Sequence, residues 1–150
     1  HTTQHCGVAV GIGAAAGHIY RGLSLIDRGN HWEHCTTRRV TAVTAACLVV
    51  GREQFHEVGG FDEEAFAVAF NDVDFCLRLD MAGYRNKFVA DAVLVHHESK
   101  SRGSDMLPAN RARYEGELSR LKQRWRTSEA FDRYHNFQLT RESEDCILAL

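Results

Sequence analysis

Two carboxylates and an amide follow an apolar run in the stretch Asn71-Asp72-Val73-Asp74. One interpretation is that Asn71 or Asp72 caps a helix, because short polar side chains accept hydrogen bonds from the unpaired N–H groups of a first turn. The chemical interpretation uses the same placement. A carboxylate fixed at a helix start can face a cleft and take a proton from a hydroxyl that attacks a substrate. Spacing alone favours capping, and both roles are compatible in one residue.

A second polar cluster follows the apolar stretch that ends at residue 95. Successive side chains of a strand alternate between its two faces, so His96 and His97 would face opposite sides. The residues Lys100, Ser101 and Arg102 then form a loop of cations and N–H donors that suits a diphosphate. A solvated loop has the same composition, so this loop alone does not define a site.

Nine histidines and five cysteines invite a metal-site interpretation. None of the histidine and cysteine spacings is typical of a zinc site, and the stretch HWEHC at residues 31–35 comes nearest to one. An odd number of cysteines without a C-x-x-C pair indicates reduced thiols in a cytosolic protein. Cys47 and Cys76 lie inside apolar runs, and we expect both in the core.

Hydrophobic spacing predicts the elements that position these residues. Strands are predicted in VAVGIG (from residue 8), in the β-branched run 40–50 and in the stretch 85–97. Helices are predicted at 52–58 (ended by Gly59-Gly60), from Asp62, from Asn71 or Asp72 to Gly83, and after Pro108. The apolar stripe of the last helix is Tyr114, Leu118, Leu121 and Trp125.

Composition restricts the classes of protein. The chain has 150 residues, 44% of them hydrophobic, a length that suits one domain or one half of a larger domain. Its formal net charge of −2 argues against a nucleic-acid partner. No apolar run approaches the length of a membrane span, and the N-terminus shows no signal-peptide pattern. The sequence opens in mid-pattern without an initiator methionine, so we expect a piece of a longer cytoplasmic protein.

Four stretches, taken together, resemble one family: VTAVTAACLVVGREQFHEVGGFDE (40–63), AFNDVDFCLRLDMAGYR (69–85), VADAVLVHHESKSRG (89–103) and RYEGELSRLKQRW (113–125). Their order and spacing resemble the C-terminal half of a family 2 glycosyltransferase with the GT-A fold, over about residues 7–140. The similarity is greatest to bacterial enzymes of O-antigen or rhamnan-type polysaccharide assembly. The resemblance implies an α/β fold: the acceptor-side half of a GT-A-like mixed sheet, with flanking helices and a long C-terminal helix.

The resemblance also implies roles for individual residues. Asp72 matches the catalytic base of the family's E-D-x-D-type motif, although Asn71 stands where Glu is common. Asn71, Asp74 and Asp62 would line the acceptor side of the cleft. The implied reaction is a single inverting displacement, in which an acceptor hydroxyl loses its proton to Asp72 and attacks the anomeric carbon of a nucleotide-sugar.

On the donor side, the resemblance implies that His96 is a ligand of a divalent cation, Mg²⁺ or Mn²⁺. Lys100, Ser101 and Arg102 would lie near the nucleotide diphosphate. The family's main D-x-D metal motif belongs to an N-terminal nucleotide-binding half, and no D-x-D lies upstream of residue 40. We therefore expect residues 1–150 to be the C-terminal part of the transferase domain, inactive alone.

The expected partners are a nucleotide-sugar donor and a glycan acceptor, with no nucleic acid. Peripheral association of the parent enzyme with the inner face of the membrane, and self-association of the fragment, remain open. Two other classes also remain open. One is a non-catalytic carbohydrate-binding or assembly module that uses Trp32 and Trp125 for stacking. The other is a histidine- and cysteine-based metal-binding protein.

Overall fold

The computed structural model describes residues 2–24, 35–97, 105 and 107–149. The described elements are β1 (Val8–Val10), a 3₁₀ helix (Ile12–Ala14), β2 (Ala16–His18), β3 (Arg38–Arg39), a second 3₁₀ helix (Ala45–Cys47), α1 (Arg52–Glu57), α2 (Asn71–Met81), β4 (Lys87–Phe88) and α3 (Pro108–Trp125). This mixture of helices and small sheets, with a long C-terminal helix, confirms the predicted α/β class.

The strands form two small antiparallel sheets. β1 pairs with β2, with Val8 opposite His18, and β3 pairs with β4, with Arg38 opposite Phe88. An isolated bridge also joins Val8 to Ala42 on the other side of β1. β1 therefore has neighbours on both sides, which explains why all three of its residues are buried.

β1 separates two hydrophobic clusters. Val8 and Val10 pack into a cluster with Val73 and Leu121, whereas Ala9 packs into a second cluster with residues from the N- and C-terminal regions. This division follows from the two-residue period of a strand, which sends alternate side chains to opposite faces. The first cluster matters for function because it fixes α2 and α3 against β1.

α2 and α3 confirm the helices predicted at 71–83 and after Pro108. Gly83, with φ of 95°, directly follows the C-cap residue of α2, and Pro108 occupies the first turn of α3. Leu121 is fully buried, and Leu118 and Trp125 pack beside it, as the stripe predicts. None of the helices in the described ranges combines the length and the apolarity that crossing a membrane requires.

The strand predicted over 40–50 is wrong. Ala42 makes an isolated bridge, Ala45–Cys47 form a 3₁₀ helix, and the side chain of Val49 is almost fully exposed. Thr44 starts the 3₁₀ helix, because its side-chain oxygen accepts the N–H of Ala46. Cys47 is consequently exposed rather than in the core, whereas Cys76 is fully buried as predicted.

The strand predicted over 85–97 is also wrong for most of its length. Only Lys87–Phe88 pair with a neighbour, and residues 92–97 are irregular and exposed. Their apolar side chains Val93, Leu94 and Val95 are 76%, 67% and 78% exposed. A strand needs a neighbour for its backbone groups, and the described residues provide none at this position.

The helix predicted from Asp62 stops after one turn. The Asp62 side chain accepts the N–H of Ala65 at 3.0 Å, as an N-cap does, and Phe66 N–H bonds the Asp62 carbonyl. The following segment, however, gives the N–H groups of Val68 and Ala69 to the carboxylate of Glu117 on α3. This contact between distant parts of the chain replaces the next helical hydrogen bonds.

Candidate functional site

The carboxylate of Asp72 lies at the start of α2 and is half-buried. One of its oxygens accepts the N–H of Val73 and the other accepts the N–H of Ala45, both at 2.9 Å. The N-cap residue is Phe70, which makes no side-chain cap hydrogen bond, so the predicted cap position at Asn71 or Asp72 is wrong. The expected bond from a first-turn N–H group to the Asp72 carboxylate is nevertheless present. Asp72 is therefore oriented by two backbone amides, one of which comes from a different segment.

That segment, residues 41–47, is bound along α2 by several side chains. The amide of Asn86 donates to the carbonyls of Thr41 and Cys76 at 2.8 and 3.0 Å. The Cys76 thiol donates to the Val43 carbonyl, and burial raises the pKa of Cys76 to about 12, so the thiol keeps its proton. These contacts place Ala45 beside Asp72.

Asp74 has the opposite environment to Asp72. It is fully buried, and its two oxygens accept bonds from Arg78 (2.8 Å), Arg124 (3.0 Å) and the indole N–H of Trp125 (2.9 Å). Residues two positions apart on an α-helix project about 200° apart, so the two carboxylates leave α2 on opposite sides. Asp74 ties α2 to α3, and no part of it is exposed to a dissolved acceptor.

Trp125 takes part in this network as well as in the core. Its indole N–H is bonded to Asp74, and its ring packs against the first hydrophobic cluster. These contacts give Trp125 a structural role and do not support the proposed stacking on sugar rings. Trp32, the other tryptophan of that hypothesis, lies outside the described residues.

The G-G-F-D-E turn lines an open cavity of about 490 Å³ next to this network. Arg78 is one of its lining residues and donates to the carbonyls of Val58 and Gly60. Gly60 has a φ of +66°, and a Cβ atom there would meet the ring of Phe55 at 2.9 Å, so the turn requires glycine. The cavity is lined by Val58, Gly59, Phe61, Asp62, Glu63, Glu64 and Arg78.

Asp62 lies on this cavity wall and is paired with Arg124 at 2.8 Å. The Ala65 N–H and the Arg124 side chain hold the pKa of Asp62 below its usual value. Because Arg124 bonds both Asp62 and Asp74, one α3 side chain connects the cavity wall to the buried network. The three predicted acceptor-side residues, Asn71, Asp62 and Asp74, thus lie on connected elements, with Asn71 as the first residue of α2.

Glu117 is a residue that the sequence analysis missed. Its side chain is 1% exposed and accepts the N–H groups of Val68 (3.1 Å) and Ala69 (2.8 Å), and it pairs with Arg113 at 2.8 Å. It thereby fixes the segment that leads into α2. The sequence feature that could have predicted its burial is its position three residues after Tyr114, on the apolar stripe of α3.

His96 lies away from this network. It is exposed, and its Nδ1 is 3.3 Å from the side-chain oxygen of Gln4. Lys100, Ser101 and Arg102 lie outside the described residues, as do the first four residues of the 31–35 stretch. Across the described ranges no group of three or more histidine, cysteine or carboxylate side chains could hold a metal ion. The role of His96 as a cation ligand stays a prediction.

Comparison with known proteins identifies two relatives that match almost the whole chain, one of them uncharacterized and the other named for O-antigen biosynthesis. It is 41% identical to uncharacterized protein y4gI of Sinorhizobium fredii over 150 residues, which is 97% of this chain and 16% of that protein. It is 39% identical to O-antigen biosynthesis protein RfbC of Myxococcus xanthus over 146 residues, or 97% of this chain and 11% of that protein.

A shorter match, of 68 residues at 41% identity, covers 45% of this chain. It covers 22% of an N-acetylglucosaminyl-diphospho-decaprenol L-rhamnosyltransferase of Mycobacterium tuberculosis. The chain thus spans less than a quarter of each of these relatives. No protein-family profile and no solved structure matches it. At this level the expected relationship is confirmed: the chain has glycosyltransferase-like relatives.

Proposed function

We propose that this chain forms the acceptor-side part of a glycosyltransferase of bacterial polysaccharide assembly. The substrates would be a nucleotide-sugar donor and a hydroxyl group of a glycan acceptor. Support comes from the names of two relatives, which refer to O-antigen biosynthesis and to rhamnosyl transfer. It also comes from the G-G-F-D-E turn and the N-D-V-D helix start, which lie together against α3.

The contrast between Asp72 and Asp74 carries the proposal. Asp74 is buried and engaged by three donors, whereas Asp72 is oriented by two backbone amides at the partly open start of α2. Each carboxylate oxygen has two lone pairs, so each oxygen of Asp72 keeps one for a substrate hydroxyl. We therefore assign the base to Asp72 and a positioning role to Asp74, in place of the direct acceptor contact first expected for Asp74.

The proposed step is one displacement with inversion. The acceptor hydroxyl gives its proton to Asp72 while its oxygen forms a bond to the anomeric carbon, and the bond from that carbon to the nucleotide diphosphate breaks. Asn71 and Asp62 would contact the acceptor. Lys100, Ser101 and Arg102 remain proposed diphosphate contacts, and no step is assigned to a metal ion or to His96.

We further propose that a separate segment supplies the donor-binding half. Two of the relatives are several times longer than this chain, and the apolar residues Val93, Leu94 and Val95 are exposed in the described structure. An exposed apolar run of this kind is typical of a surface that another segment or another copy covers. On this proposal the 150 residues alone transfer no sugar.

Asp72→Asn in the full-length native protein is the direct test. Asparagine keeps an oxygen for the Ala45 amide but cannot act as a base, so transfer should fall at least about 100-fold while nucleotide-sugar binding is retained. Glu115→Gln, at an exposed carboxylate on α3, is the matched control and should leave both unchanged. Transfer near the wild-type rate in Asp72→Asn would refute the assignment.

A further inference from the structure

The imidazole ring of His5 lies between β2 and the segment that binds Asp72. Its Nδ1 is 3.0 Å from Nδ1 of His18, and its Nε2 is 3.4 Å from the backbone nitrogen of Thr44. The ring of Phe88 packs edge-on against it, with centroids 6.1 Å apart. Neither His5 nor His18 has a role in the function proposed above.

The chemistry of the neighbours decides where the protons of this pair lie. A backbone N–H can only donate, so Nε2 of His5 must accept from Thr44. A neutral His5 then carries its proton on Nδ1 and donates it to Nδ1 of His18, which leaves the His18 proton on Nε2. The pair is thus a directional link between two neutral rings.

This link continues to Asp72 through one residue, Thr44. Thr44 and Ala45 are consecutive, and the Thr44 amide bonds His5 while the Ala45 amide bonds Asp72 at 2.9 Å. Both amides belong to the start of the 3₁₀ helix Ala45–Cys47. Loss of the bond to His5 would free the start of this turn, and the donor that orients Asp72 would move with it.

We propose that His5 is a positioning residue for Asp72, acting through its neutral, Nδ1-protonated tautomer and the turn at Thr44 and Ala45. The proposal rests on the function assigned to Asp72 above. It identifies a part of the N-terminal region, far from the N-D-V-D stretch in sequence, that orients the base.

The charged surroundings of the pair favour the neutral form. His18 lies on β2 and Arg38 on β3, and partial burial beside them lowers the pKa of His5 to about 3. On the far side, Glu144 accepts the backbone N–H of His18 at 2.7 Å and pairs with Arg21 at 3.6 Å. A proton added to Nε2 of His5 would face the N–H of Thr44. Protonation in acid would therefore break the hydrogen bond between His5 and Thr44.

Two variants of His5 separate its two hydrogen bonds. Glutamine can place its side-chain oxygen near the position of Nε2 and still accept from Thr44. Asparagine can place its side-chain nitrogen near the position of Nδ1, but it is too short to reach Thr44. His56→Gln is the control, because His56 is exposed on α1.

Hydrogen exchange measured by mass spectrometry on the full-length native protein gives a readout that is independent of activity. We expect His5→Asn to raise exchange in residues 43–47 about fivefold, as for the loss of one hydrogen bond, with other peptides unchanged. His5→Gln should restore slow exchange. Unchanged exchange in both variants, or a rise throughout the chain, would overturn the proposal.

Transfer kinetics then separate this inference from the proposed function. We expect His5→Asn to lower kcat about tenfold without changing KM for the donor, and His5→Gln to recover most of it. If Asp72→Asn abolishes transfer but His5→Asn leaves kcat unchanged, the positioning role is wrong and the base assignment stands. If Asp72→Asn transfers normally, both assignments are wrong, whatever the exchange data show.

Discussion

Replacing Asp74 by alanine tests whether the buried network holds α2 to α3. The carboxylate is fully buried, and its removal leaves Arg78, Arg124 and the indole of Trp125 without this acceptor. The side chains of Arg78 and Arg124 are 21% and 38% exposed, so water can reach the two cations once the carboxylate is gone. The expected loss of stability is therefore smaller than for a pair that is buried on both sides.

The magnitude follows from these exposures. Removing one partner of a fully buried ion pair costs about 3–5 kcal/mol, and leaving a buried donor unsatisfied costs about 1–3 kcal/mol. Because the two arginines can be partly hydrated, we expect Asp74→Ala to lower the free energy of unfolding by about 2–4 kcal/mol. Asp74→Asn keeps an acceptor oxygen for Trp125 but loses the charge, and it should cost less than Asp74→Ala.

Urea unfolding followed by tryptophan fluorescence is the assay, because Trp125 reports directly on this contact. Glu115→Ala is a matched control, since Glu115 pairs with Arg111 at the same i, i+4 spacing and a similar distance, 2.7 Å against 2.8 Å for Asp74. Its side chain is 58% exposed, so its removal should cost less than about 0.5 kcal/mol.

Equal effects of Asp74→Ala and Glu115→Ala would refute this reasoning. Burial would then add nothing to an ordinary surface ion pair, and the connection of α2 to α3 would have to come from apolar packing alone. A large effect of Asp74→Ala with normal transfer by the folded protein would support the stabilising role but not the positioning role proposed for Asp74.

Three further predictions concern stability. The pKa of His5 is about 3 in the folded state and 6.5 in the unfolded state, so the unfolded chain binds more protons between these pH values. The free energy of unfolding should therefore fall as the pH drops below 6.5, by about 2 kcal/mol at pH 5. Urea unfolding of His5→Gln at a series of pH values should not show this decrease. Glu117→Gln leaves a loop amide without its charged acceptor and should lower the free energy of unfolding by about 2–3 kcal/mol. The control Glu115→Gln should lower it by less than about 0.5 kcal/mol. Equal losses in the two variants would contradict the role of Glu117. In thermal unfolding, Gly59→Ala should lower the free energy of unfolding by about 1 kcal/mol, because its φ of +82° is unfavourable for alanine. Gly60→Ala should lower it by at least about 2 kcal/mol, because its added methyl group also meets an aromatic ring of α1.

The two strand predictions that failed share one physical cause. The stretches 40–50 and 85–97 have the composition of strands, but a strand exists only where another segment satisfies its backbone groups. Within the described residues, Arg38–Arg39 pair with Lys87–Phe88, and Ala42 bridges Val8, while the rest of both stretches is irregular or 3₁₀. Composition therefore indicated where strands are favoured and could not indicate whether a partner is present.

Local sequence signals were sufficient to predict some of the elements. The Gly83 that ends α2, the Pro108 that starts α3 and the apolar stripe through Leu121 all lie within a few residues of the structure they specify. The i, i+4 pair of Asp74 and Arg78 is likewise a property of one helix.

Which carboxylate of the N-D-V-D stretch is buried depends on long-range packing and could not be predicted from local signals. Two residues apart on a helix, Asp72 and Asp74 must face opposite sides, but the side that becomes the interior depends on where α3 packs. Arg124 and Trp125 enclose Asp74, and Ala45 orients Asp72, and both contacts join parts of the chain that are distant in sequence. The residue types were present in the sequence, and packing buried Asp74 completely while it left Asp72 partly accessible at the start of α2.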